Sequence, residues 1–118
     1  MAYDEELAER IRSLVEGEPG LSEKKMFGGL AFLIDGNMAV AASGQGGMML
    51  RVDPAQTEAL LDQPRVQRMV MRGREMDGWL RIDPSAMVAD EAFEGWVRRG
   101  VGYARSLPAK PGSSPRAR

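Results

Sequence analysis

Four arginines, Arg65, Arg68, Arg72 and Arg74, fall within ten residues, and Arg51 and Arg81 stand at outward-type positions on strand-like segments either side. A guanidinium is a planar fork of donors that matches a phosphate or carboxylate, so arginines sharing an open sheet face would suit phosphates or an acidic protein surface. Strand alternation puts Arg68 and Arg72 on one face. Arg51, Arg68, Arg72 and Arg81 are therefore the candidate contacts for a partner or a nucleic acid. The plainer alternative is pairing with Glu75, Asp77 and the acidic first segment, which leaves a solvated face. No helix-turn-helix, zinc-finger or aromatic-stacking pattern supports specific reading of nucleic acid.

Other chemistry is scarce. The chain has no cysteine and no histidine, which removes disulfides, thiolate chemistry, imidazole triads and zinc sites with nitrogen or sulfur ligands. Residues 44–47, Gly-Gln-Gly-Gly, precede a strand rather than a helix and lack a following Lys-Ser/Thr, so they read as a hairpin turn rather than a phosphate cradle. Asp35, Asp53, Asp77 and Asp83 each fit a turn or cap, and nothing nominates a catalytic pair. Met48, Met49, Met69 and Met71 lie on adjacent-looking strands. They are core filler or, since the thioether repacks easily, an adaptable docking surface. The expectation is a domain without catalytic, metal or cofactor residues.

At 118 residues the chain fits one domain, residues 1–107, with a Pro/Gly/Ser-rich cationic tail over 108–118 that is expected to be disordered. Net charge is −1, so there is no overall pull toward nucleic acid or anionic lipid. The ends differ in sign: Asp4, Glu5, Glu6, Glu9, Glu16, Glu18 and Glu23 crowd the first, whereas Arg98, Arg99, Arg105, Lys110, Arg116 and Arg118 occupy the last. The N-terminus has no apolar signal segment and no run is long enough to span a membrane, so a cytoplasmic location is expected.

Periodicity places the elements. Tyr3, Leu7, Ile11, Leu14 and Val15 make one helical stripe over 4–16, with Glu6 able to pair with Arg10. A short link then leads to a strand from Phe27 to Ile34, a tight Asp35-Gly36 turn, a second strand through Met38, Val40 and Ala42, and a third through Met48, Leu50 and Val52. Asp53-Pro54 opens a helix that Pro64 ends. A second hairpin spans 68–72 and 77–82, and a final helix runs over 90–107, with Phe93, Trp96, Val97, Val101 and Ala104 on one face. This predicts a two-layer α+β domain, α-β(3)-α-β(2)-α, with a five-stranded antiparallel sheet. Leu50-Arg51-Val52-Asp53-Pro54 nearly repeats as Leu80-Arg81-Ile82-Asp83-Pro84, which reads as two strands leaving the sheet into a cap rather than as an internal repeat. In the first strand both alternating sets are apolar, so both faces need cover, from a wrapping helix or from a second copy in a homodimer.

Met26-Phe27-Gly28-Gly29, the apolar strand after it, Asp35-Gly36 and the later Arg51-bearing strand end together resemble the N-terminal domain of the TfoX/Sxy family. The resemblance covers about residues 5–107. It implies a fold similar to type III secretion chaperones and a bacterial regulator, since named members activate natural competence genes. Those members carry a second domain, and this chain stops after the first, so their transcriptional role is not carried over whole. In the motif, Gly28 and Gly29 suggest a bulge or a close backbone approach, or else a groove for a ligand or peptide, with Met26 and Phe27 plugging the core beneath the first helix. The resulting expectation is a non-enzymatic, cytoplasmic protein-interaction domain. Direct nucleic-acid binding and small-ligand binding are the alternatives.

Overall fold

The computed structural model describes residues 3–26, 28–44, 46–63, 65–71 and 73–108, with Met71 described in its backbone alone. Phe27, Pro64, Arg72 and the tail beyond Pro108, all named in the sequence reading, lie outside the described residues. Asp4 accepts hydrogen bonds from the Glu6 and Leu7 amides and so starts α1, Glu5–Val15, whose acidic first turn meets the positive end of the helix dipole. Leu7, Ile11 and Val15 are buried as the stripe predicts. Arg10 does not take the expected local partner. Its guanidinium lies 4.0 Å above the Phe93 ring and donates to the Met87 carbonyl and Asp90 carboxylate, each at 3.1 Å.

The segment after α1 is a strand rather than a link. Leu21–Met26 forms β1, which pairs antiparallel with β2, Gly29–Ile34. β3, Asn37–Ala42, and β4, Met48–Arg51, continue the sheet. After a short 3₁₀ turn at Pro54–Gln56 and α2, Thr57–Leu61, the hairpin of β5, Val66–Met71, and β6, Arg74–Ile82, completes it. The sheet therefore has six strands, not five, all antiparallel, in the order β1-β2-β3-β4-β6-β5. β1 escapes sequence inspection because only its first and last residues are partly buried. The four between, Ser22 to Lys25, are exposed along the edge.

Local chemistry explains the joints. Asp35 and Gly36 both take positive φ, 51° and 84°, which is the geometry of a tight hairpin turn. The Asp53 side chain caps Pro54–Gln56 through the Ala55 amide, and Asp83 caps a second 3₁₀ turn, Pro84–Met87, through the Ser85 amide. α3, Asp90–Ser106, then closes the chain over β3 and β4, burying Phe93, Trp96, Val97, Val101 and Ala104. Of its glycines only Gly100 is pressed on a neighbour, facing the Ala39 carbonyl and Leu50.

The main core joins α1 and α3 to one set of alternating strand residues, among them Leu30, Phe32, Ile34, Val40, Leu50, Leu80 and Ile82. Several are fully buried, each worth roughly 1.5–3 kcal/mol relative to exposure. At the sequence level Leu30, Phe32 and Ile34 form one apolar set and Ala31 and Leu33 the other, and the structure separates them in that way.

Candidate functional site

The second alternating set builds its own apolar cluster. Ala31, Met38, Ala41, Met49 and Met69 are buried in it, and Met26, Leu33 and Trp79 pack at its margin. Every one of these residues comes from a strand, and no helix residue joins them among the described residues. The methionines named from sequence divide accordingly: Met48 belongs to the helix-covered core, while Met49 and Met69 belong to this face. Met26 also lies here, not beneath α1 as the sequence suggests.

The candidate arginines do not share one surface. Arg51 ends β4 beside Met49 and stacks over Trp79, its cross-strand partner, at 5.0 Å, with the Tyr103 ring at 5.8 Å. Arg81 sits opposite Met49 on one side and Gln67 on the other, so it borders the strand-only cluster. Arg68 faces the other way. It is the cross-strand partner of Leu80, a residue of the main core, and its guanidinium reaches Glu58 of α2 at 2.6 Å, Asp77 at 2.9 Å and Glu75 at 3.4 Å. The hydrogen bond to Glu58, followed by the field of Asp77 and Glu58, raises the Arg68 pKa further. Three carboxylates thus neutralise Arg68, one of the four arginines that the sequence offers as partner or nucleic-acid contacts.

Met26 ends β1 and Gly29 begins β2 directly opposite it, so the motif's glycines lie where the hairpin reverses and not in the interior of a strand. A side chain at Gly29 would strike the Ala42 carbonyl oxygen and come within 3.0 Å of the Gly44 amide nitrogen. One at Gly44 would in turn lie 2.5 Å from the Gly28 carbonyl oxygen. Two backbones therefore meet where the motif places its glycines, and the space a ligand would need is occupied by the β3–β4 turn.

One electrostatic latch has no counterpart in the sequence reading. Arg12 of α1 donates through two nitrogens to both oxygens of Glu23 on β1, at 2.7 and 2.9 Å, and also pairs with Glu9. The hydrogen bonds from Arg12 hold the Glu23 carboxyl below the usual range. Residues eleven apart in sequence on different elements leave no periodic signal. Among the described residues no group of three or more carboxylates is placed to hold a metal ion, and no helix is long and apolar enough to cross a membrane.

Three helices, an open antiparallel sheet and a hairpin locked by glycines define an α+β domain of a particular build. Residues 13–104 of the 118 match the family model of the TfoX N-terminal domain, and the chain belongs to that family. No curated protein and no solved structure matches it.

Proposed function

We propose that this TfoX-type domain is a non-enzymatic, cytoplasmic interaction module of the regulator kind, acting in gene control through contact with protein. The observation that carries this reading is the strand-only cluster, whose Met26, Leu33 and Trp79 margin is only half-buried while its centre is methionine-rich. An apolar sheet face normally takes cover, and methionine repacks against varied shapes. A second copy of the chain is the first occupant to test, giving a homodimer in which each face covers the other. A two-layer arrangement of the secretion-chaperone kind, which the family resemblance implies, would fit such a docking role. The competence-gene role of two-domain relatives is the finer form of the same proposal.

Light scattering on the purified domain tests it. The expected result is twice the monomer mass, returning to monomer in Leu33→Glu with the melting temperature little changed. A monomeric wild type that also shows no crosslink from a photoreactive group at position 33 in its native cell would overturn the reading. Direct nucleic-acid contact draws less support, because Arg68 is committed to three carboxylates and Arg51 to an aromatic stack.

A further inference from the structure

The strand register sorts the charges of the sheet by side. Residues directly opposite in an antiparallel pair share a face, as do residues two apart on one strand. The strands carry three carboxylates, Glu23, Glu75 and Asp77. Glu23 lies opposite Phe32 of the helix-covered core and binds Arg12 of α1. Glu75 and Asp77 both bind Arg68, which lies opposite Leu80 of the same core. All three acids belong to the helix side.

The cations divide differently. Lys24 lies opposite Ala31, and Arg51 opposite Trp79, both members of the strand-only cluster. Arg81 also faces this way but is already engaged within the domain. The open face is thus apolar at its centre and cationic at its margin, and no strand carboxylate lies on it. Lys24 and Arg51 make no ion pair among the described residues, whereas Arg10, Arg12, Arg68, Arg98 and Arg105 each do. Arg51 is the better prepared of the two. The Trp79 ring, 5.0 Å from its guanidinium carbon, orders the group and leaves its N–H donors to an acid.

We infer, building on the reading of this face as an interface, that its partner is an acidic amphipathic helix of another protein. The apolar stripe of that helix lies along β2 and β3, over Ala31, Leu33, Met38 and Ala41, and its carboxylates reach Lys24 on one flank and Arg51 on the other. β1 and β4 are separated by three strand intervals, about 14 Å, which admits a helix about 10–12 Å across. Such a helix supplies the layer that α1 and α3 supply on the opposite side. Two copies laid face to face offer these cations no strand carboxylate from either sheet. Self-association is then held by apolar contact alone, and an acidic helix displaces the second copy. A nucleic acid suits the face less well, because its centre is apolar and its cations stand apart.

The test titrates isotope-labelled domain with a helix-patterned peptide bearing leucine on one face and glutamate on the other. Its length is about 14 residues, to match the roughly 20 Å of β2 and β3. Twin peptides carry glutamine or lysine in place of glutamate. The readout is the indole N–H resonance of Trp79, with that of Trp96 in the main core as internal reference, while light scattering records the mass. The glutamate peptide should shift Trp79 saturably and bind more tightly than the glutamine twin, and the lysine twin should not bind. Lys24→Glu, at an exposed edge position, and Arg51→Gln should each weaken the glutamate peptide roughly threefold or more and leave the glutamine peptide unchanged. A monomeric wild type that binds the glutamate peptide removes the homodimer and upholds the acidic partner. A dimer indifferent to that peptide does the reverse. Equal affinity for the three peptides, binding unchanged by both substitutions, or a preference for a single-stranded oligonucleotide of equal charge also overturns the inference.

Discussion

Leu50 of β4 and Leu80 of β6 face each other as direct cross-strand partners, both fully buried, and the sequence reads alike outward from each. Leu50-Arg51-Val52-Asp53-Pro54 and Leu80-Arg81-Ile82-Asp83-Pro84 thus lie side by side and antiparallel about a local two-fold axis through that pair. Asp53 and Asp83 cap the turns that follow with the same bond, at 2.9 Å in each case. A glycine also stands close to each exit, though the two are offset by one residue from that symmetry. A side chain at Gly47 would come within 2.6 Å of the Ile82 carbonyl oxygen, and one at Gly78 within 3.1 Å of that of Val52, both glycines having positive φ. The repeated words describe two matching exits from the sheet.

The glycines of α3 should respond in opposite ways to a methyl group. Gly95 and Gly102 have nothing near their missing Cβ, so alanine at either should stabilise the domain by roughly 0.5–1 kcal/mol. At Gly100 the added atom would meet the Ala39 carbonyl oxygen at 2.5 Å, and Gly100→Ala should cost about 1–3 kcal/mol as overpacking. Urea midpoints of the three variants check the order.

The family motif is expected to fail by sterics when altered. Gly29→Ala forces β2 away from the β3–β4 turn and should cost about 2 kcal/mol or more. Gly28→Asn keeps a residue that tolerates positive φ, faces only the Gly44 Cα at 4.0 Å, and should be distinctly milder. Equal losses in the two thermal melts would contradict this account.

Removing Arg68 leaves Glu58, Glu75 and Asp77 facing one another. Arg68→Met should therefore lower stability only modestly, because the three acids are largely exposed. The gap between wild type and variant should narrow with added salt, as their repulsion is screened. Denaturant melts at low and high ionic strength measure it.

Acid should weaken the domain through Glu23 and Asp83, whose folded pKa values are both lowered. The unfolded chain then binds more protons than the native one, so stability rises with pH across this window. The contribution is complete above the ordinary carboxylate range, about pH 4 to 4.5, and is lost as pH falls through the depressed folded values. Without histidine no imidazole adds a step nearer neutrality. Glu23→Gln should flatten part of the acid limb in a pH series of melts.

Much of the fold was legible where one residue type decides local geometry. The α3 stripe from Phe93 to Ala104, the Asp53 and Asp83 caps and the Asp35-Gly36 turn all follow from the sequence pattern. β1 was not legible, because Ser22 to Lys25 pair with β2 through the backbone and bury no alternating side chains, and the one side-chain bond, Glu23 to Arg12, leaves no local pattern. Nor was the side on which Arg68 falls. In Val66-Gln67-Arg68-Met69, apolar residues of opposite parity leave the phase ambiguous until Leu80 fixes it across the strand pair. The pairing of β4 with β6 instead of β5 is a matter of strand order, which no local pattern encodes.

The hydrophilic border formed by β1 has a consequence for assembly. Glu23, Lys24 and Lys25 line that rim of the sheet with charge, which discourages another strand from adding there. The opposite rim is β5, where Val70 stands 55% exposed. Growth of the sheet by added strands is thus discouraged at one rim, so copies that meet through the sheet face have no matching edge on both sides from which to extend into an endless fibre.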